Sequence, residues 1–228
     1  MSVSQNAEHL CRGRGRPPLR SDEETLRVIV DAAASMFREG GYAGTAMSAI
    51  AARAGVSTKT LYRLVPMKDE LFQRVISSRI DRFMLAVDAV DETSGDLAGG
   101  LEHLLTAYGN LAFDPEVISV YRLVVGECVR FPEIGRTFFE TAIKAAGGAI
   151  TRWLVQQTRR GLIELDNPER AAEMLRGMMV FEPQRAALLG QAPPPDAAAI
   201  AARARACAML FLRGCQRWEA RQALAGLS

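Results

Sequence analysis

The chain has 228 residues, 49% of them hydrophobic and 24% charged, with a formal net charge of +2. Such a composition can bury a sizeable core in one large or two small domains and excludes a disordered polymer. Four cysteines without C-x-x-C spacing and only two histidines exclude the grouped N/S ligands of a structural zinc site, so no metal is expected.

Residues 1–20 have no hydrophobic periodicity and read as a disordered basic arm. Within it, Arg12-Gly13-Arg14-Gly15-Arg16-Pro17-Pro18 spaces arginines with glycines and ends on prolines. Arg14 and Arg16 in an extended chain can enter a narrow minor groove, whose negative potential attracts guanidinium groups. The spelling R-G-R-P also resembles an AT-hook core. A solvated basic tail with no fixed contact is the alternative. Residues 1–66 hold nine Lys/Arg against six Asp/Glu, whereas the rest holds nineteen against twenty, so the excess positive charge lies in the first third.

Ser21-Asp22-Glu23-Glu24 spells a capping box. Leu26, Ile29, Val30, Ala33 and Phe37 follow at helical spacing, up to a stop at Gly40-Gly41. Met47, Ile50, Ala51 and Ala54 line one face of a second helix, with Thr45 ahead of them as N-cap and Gly55 behind as C-terminal glycine. Ser57 caps a third, short helix that Pro66 terminates. Leu61 and Leu64 point back at the second helix, which leaves Thr58, Lys59, Tyr62 and Arg63 facing outward. A rod of seven or eight residues fits a major groove about 12 Å wide. The pattern over 21–67 predicts a helix-turn-helix.

Here the sequence becomes specific. The run A-G-V-S-x-x-T-L-Y-x-x-V-P-x-K-x-x-L-F, from Ala54 to Phe72, resembles the DNA-binding domain of TetR-family transcriptional regulators. Gly40-Gly41-Tyr42 and Thr45 sit where that family has them, and Val65 departs from a position where many members carry Phe. The resemblance implies that Tyr62 and Lys68 grip phosphate while Thr58, Lys59 and Thr60 lie where base edges are read. With Ser57, Thr45 and the arm's Arg14 and Arg16, these make up the expected DNA surface.

A fourth helix is expected from Lys68 to just before Ser94-Gly95, with Leu71, Phe72, Val75, Ile76, Phe83 and Val87 on its apolar side. The resemblance implies that this helix transmits ligand-driven movement to the headpiece. From Asp96 onward the pattern is helical throughout, with helices expected at about 96–112, 115–130, 133–160, 168–190 and 196–222. Pro183 falls inside one of them and predicts a kink or a split there. The expected class is therefore all-α, about nine helices in all: a three-helix helix-turn-helix DNA-binding unit, then a larger helical domain over 68–228, for which the resemblance implies ligand binding and dimerisation. The segment from Val120 to Glu140 is similar to the C-terminal domain of AefR-like TetR-type regulators.

That family resemblance implies an effector pocket, for which the aromatic and Met residues Phe113, Tyr121, Phe138, Trp153, Met174 and Met178 are candidates. Glu127 and Arg130 stand in an apolar context, where a charge is rarely buried unless paired, so they either pair with each other or flank a ligand. For dimerisation, the last two helices offer Ala172, Leu175, Met179 and Leu188, then Ala201, Ala204, Ala208, Leu212 and Cys215, the alternative being that both helices close the core of a single protomer. No G-x-S-x-G, phosphate loop or dinucleotide fingerprint occurs, so no catalytic residue, enzyme activity or cofactor is expected. The absence of an apolar leader, and the arginines 203 and 205 in the most apolar stretch, lead to the expectation of a cytoplasmic protein without membrane contact. The expected function is a homodimeric repressor of a palindromic operator, released by a small-molecule effector. The alternative is an architectural protein that binds AT-rich DNA through the R-G-R-G-R-P arm without an effector.

Overall fold

The computed structural model describes residues 20–88 and 96–215. The basic arm, residues 89–95 at the end of the expected fourth helix, and the end of the helix expected to reach residue 222 lie outside the described residues. Every element within them is helical: α1 (Asp22–Gly44), α2 (Met47–Ala54), α3 (Thr58–Leu64), α4 (Lys68–Asp88), α5 (Leu97–Ala112), α6 (Pro115–Glu127), α7 (Pro132–Phe138), a π-helical segment (Phe139–Lys144), α8 (Ala145–Arg159), α9 (Pro168–Leu188) and α10 (Ala197–Cys215). Because α7, the π segment and α8 are continuous, these make nine helical rods among the described residues.

Local chemistry sets the helix ends. The Ser21 hydroxyl accepts from the Glu24 amide while the Glu24 carboxylate accepts from the Ser21 amide, so two orphan donors of α1 are satisfied reciprocally. Asp96, Asp114 and Asn167 cap α5, α6 and α9 through their side chains. At Gly41 (φ 72°, ψ 172°) α1 kinks, then completes one more turn to Gly44. The expected stop at Gly40-Gly41 is thus a bend that carries Tyr42 inward.

Two apolar cores result. One gathers Ile29, Phe37, Tyr42, Ile50, Leu61, Leu71 and Phe72, and so joins the first four helices to α6 and α7 through Val124, Ile134 and Phe138. Its centre is aromatic: Phe37, Tyr42 and Phe72 lie 5.5–5.7 Å apart in tilted and edge-on pairs, and Phe131 meets Tyr42 at 5.4 Å. Each such pair adds about 0.5–1.5 kcal/mol beyond its buried area. The other core packs α5 against α8, α9 and α10 around Leu101, Leu105, Ile150, Leu175 and Ala204.

Pro183 does not break α9, which runs on to Leu188. Proline has no N–H for the carbonyl four residues earlier, at Met179. Arg203 of α10 supplies the missing donor instead, its Nε lying 2.7 Å from that carbonyl.

The faces expected to dimerise turn inward. Ala172, Leu175 and Met179 of α9, and Ala204, Ala208 and Leu212 of α10, are buried in their own protomer. The reason is that α5 packs directly along α10 and occupies its alanine stripe, which helical spacing alone cannot reveal. Met174 and Phe181 of α9, and Met209 and Leu210 of α10, are large apolar side chains that these two helices leave exposed.

Candidate nucleic-acid interface and effector cavity

The second and third helices meet at a corner made by backbone chemistry. Gly55 adopts the left-handed conformation (φ 67°, ψ 32°) that a side chain would strain, and the Val56 amide then closes on the Ala51 carbonyl at 3.0 Å. The Ser57 hydroxyl accepts from the Thr60 amide at 3.0 Å and pairs with the Thr60 hydroxyl at 2.8 Å. Leu61 is fully buried and Val65 follows it into the core, so the opposite face of α3 must point out. That face carries exposed Thr58 and Lys59, and Tyr62 at 48% exposure. Lys59 makes no ion pair among the described residues, whereas Arg63 makes two bonds to the Asp22 carboxylate, at 2.8 and 2.7 Å, tying α3 to the start of α1. Those bonds hold the Asp22 carboxyl below the usual carboxylate range.

Two residues expected on this surface are engaged elsewhere. Thr45 is only 3% exposed, and its hydroxyl donates to the Gly41 carbonyl at 2.7 Å and the Met36 carbonyl at 3.1 Å. The hydroxyl is thus turned back onto the kinked end of α1 rather than toward α2, whose N-cap is Ala46. Lys68 is half-buried, donates to the Tyr42 carbonyl and lies 4.4 Å over the Tyr42 ring. Burial pushes its ammonium pKa down, partly opposed by the nearby Glu127 charge. Tyr42 itself is pushed up to about 12 by burial, with Glu133, Asp69 and Glu127 adding to the effect, so its phenol stays neutral.

Glu127 resolves the earlier choice in neither expected way. It does not line the cavity and its carboxylate is not committed to Arg130. It accepts from the Tyr42 amide at 2.8 Å and the Ala43 amide at 2.9 Å, latching the last turn of α6 onto the kinked corner of α1. Gly41 makes room for it, since a Cβ there would come within 2.6 Å of Glu127 Oε1.

A cavity of about 440 Å³ opens between α1, α4, α5, α6, α7, the π segment, α8 and α9. Ala34, Ala112, Ala142, Ala146 and Gly177 on its walls leave this volume, because side chains so small cannot fill the space between six or more crossing helices. Tyr121 and Phe138 line it as a tilted pair with centroids 5.1 Å apart. The other candidates do not line it: Phe113 and Trp153 are buried in the second core, Met178 packs beside that core, and Met174 is 61% exposed. What sequence reasoning missed are the polar wall residues, above all Arg38, Arg79, Glu116 and Arg176. Glu116 bridges Arg38, at 2.9 Å, and Arg79. No local signal marks these residues, since charged positions on a helix ordinarily face solvent.

Residues 29–75 match the model of bacterial regulatory proteins of the tetR family, and residues 99–215, more than half of the chain, match that of the AefR-like transcriptional repressor C-terminal domain. The chain belongs to the TetR family. Solved structures agree. A TetR-family transcriptional regulator from Mesorhizobium loti MAFF303099 is 27% identical, with a TM-score of 0.76 over 87% of this chain and 100% of that one. The flavonoid-responsive regulator FrrA is 26% identical, with a TM-score of 0.72 over 86% of this chain and 99% of its own. A TetR regulator from Agrobacterium tumefaciens, at 22% identity, shares the fold, with a TM-score of 0.71 over 87% and 97% of the two chains. No curated protein matches. TetR-family proteins are transcriptional regulators that bind DNA and act as dimers, and this regulator stands among them and not among enzymes. Among its described residues no helix is long and apolar enough to cross a membrane, and no group of three metal-ligating side chains occurs.

Proposed function

We propose that this TetR-family regulator is a cytoplasmic, homodimeric repressor whose grip on a palindromic operator is released when a small molecule occupies the cavity. The observation that carries the proposal is α6, which contributes Val117, Val120 and Tyr121 to the cavity wall and ends in the Glu127 latch on the α1 corner. A ligand that fits only one placement of α6 therefore biases the placement of the helix-turn-helix, by its difference in affinity for the two placements. The similarity to a flavonoid-responsive regulator supports an effector of aromatic character.

On the DNA side, exposed Thr58 and Lys59 read base edges, while Tyr62 and Lys68 hold phosphate, and the Ser57 and Thr60 hydroxyls assist. Lys68 keeps its bond to the α1 corner and so positions the corner as well as touching DNA. Thr45 serves by shaping that corner from inside. Two α3 helices about 34 Å apart, or a multiple of it, require a dimer. Arg14 and Arg16 extend the contact into a flanking minor groove.

Footprinting on an operator selected from random DNA tests the proposal. A protected palindrome, lost on adding a small molecule to the bound complex, is the expected result. A diffuse A·T preference that survives substitution of Thr58 and Lys59 would mean an architectural protein instead. Deleting residues 1–18 should flatten the salt dependence, since log K falls by about 0.9 per neutralised phosphate.

A further inference from the structure

We infer that the cavity takes an aromatic acid, with the anionic group received by Arg176; this rests on the effector reading above. Four arginines reach the cavity wall, and three have carboxylates. Arg38 and Arg79 share Glu116, and Arg185 pairs with Glu182 at 2.6 Å. Arg176 pairs with none among the described residues. Its Nη1 makes one long bond, 3.2 Å, to the Ile143 carbonyl, it meets the Tyr108 phenol, and its Nε is buried without any partner.

A guanidinium carries five donors and is costly to remove from water with donors unused. Here it is also held in place. Its Cζ would lie 3.0 Å from a Cβ at position 147, so the plane rests on the bare backbone of Gly147 in α8. Burial pushes the Tyr108 phenol pKa up, with Arg176 opposing, so Tyr108 offers no anion in exchange. The carboxylates on the wall do not change the balance. Glu116 is held between two arginines, and Glu173, one turn before Arg176, is exposed. A seated, partly buried cation in a mostly apolar chamber is completed by a carboxylate, which accepts from a guanidinium by two parallel bonds. The tilted rings of Tyr121 and Phe138 offer the same ligand a flat apolar surface.

Calorimetric titration of the full chain with naphthalene-2-carboxylate and its neutral counterpart naphthalene-2-carboxamide tests the inference. The acid should bind about tenfold or more tightly than the amide. Arg176→Gln should bring the acid down to the amide's affinity while leaving the amide's own binding unchanged, and Arg176→Lys should recover part of the preference. Gly177→Phe, which fills the chamber, should abolish binding of both. Equal binding of the two probes by the natural protein, or an acid preference that survives Arg176→Gln, overturns the inference and leaves an effector cavity standing. Binding that survives Gly177→Phe places the probes elsewhere and also overturns it. Should neither probe bind at all, the effector reading fails with it.

Discussion

Replacing Glu127 with alanine removes the acceptor of two backbone amides that lie 84 and 85 positions away in the chain. The two losses are unequal. Tyr42 is 4% exposed, so its amide is left in the core without a partner, at about 1–3 kcal/mol. Ala43 is exposed, and water takes over its bond at little cost. The attraction between Glu127 and Lys68 also disappears, but it is screened at this half-exposed site. Together these amount to about 1–3 kcal/mol. In a chain of this length each kcal/mol moves the melting temperature by roughly 2–4 °C, so the variant should melt about 2–12 °C lower. Circular dichroism at 222 nm, paired with a urea titration, measures this, and an unchanged urea slope would show that stability and not compactness has changed. The variant should also lose much of its effector response at the operator, because α6 no longer grips the α1 corner. Melting within about 1 °C of the parent would refute the reasoning and leave the corner held by the Phe37–Tyr42–Phe72 rings alone.

Gly41→Ala should destabilise by about 1–3 kcal/mol, because it strains a positive φ and collides with the Glu127 carboxylate, whereas Gly44→Ala, with open space at its Cβ, should stay within about 0.5 kcal/mol of the parent. Equal effects in urea titrations would contradict the close approach. Leu61→Ala should cost about 2–5 kcal/mol, since its side chain is fully buried, and should abolish operator binding near the melting temperature. Thr58→Ala should alter which operator is selected from random DNA, while Lys68→Ala should weaken every sequence about equally and also lower the melting temperature through the lost bond to Tyr42. A sequence preference shifted by Lys68→Ala would reverse that division. Burial pushes the Cys207 thiol pKa up, so at pH 8 iodoacetamide should label half-buried Cys128 well before Cys207, and in urea the two rates should converge.

Helix ends and the corner of the DNA-binding unit were legible in the sequence because their causes are local. Ser21 and Glu24 cap each other across three residues, Gly55 is needed at one left-handed position, Ser57 reaches the amide of Thr60, and Leu61 follows the helical period inward. Each interaction spans four residues or fewer, so residue order alone carries it. The all-α class and the family followed from the same short-range pattern.

Partnerships across the fold were not legible. Periodicity marked Ala204 and Leu175 as apolar-facing but could not say that α5 and the neighbouring helices, not a second copy, would cover them. It marked Phe113 and Trp153 as large and aromatic but not whether the space beside them would be filled or left open. A cavity exists where helix surfaces fail to meet, so its lining depends on the crossing of many rods at once, and only their packing put Arg38, Arg79, Glu116 and Arg176 around one chamber. Thr45 and Glu127 were likewise decided at the corner around Gly41, where one donates to two backbone carbonyls and the other accepts from two backbone amides. The sequence by itself determined which segments coil and which side of each is apolar, because those depend on neighbours along the chain. The tertiary structure decided what each side faces, because that depends on neighbours in space.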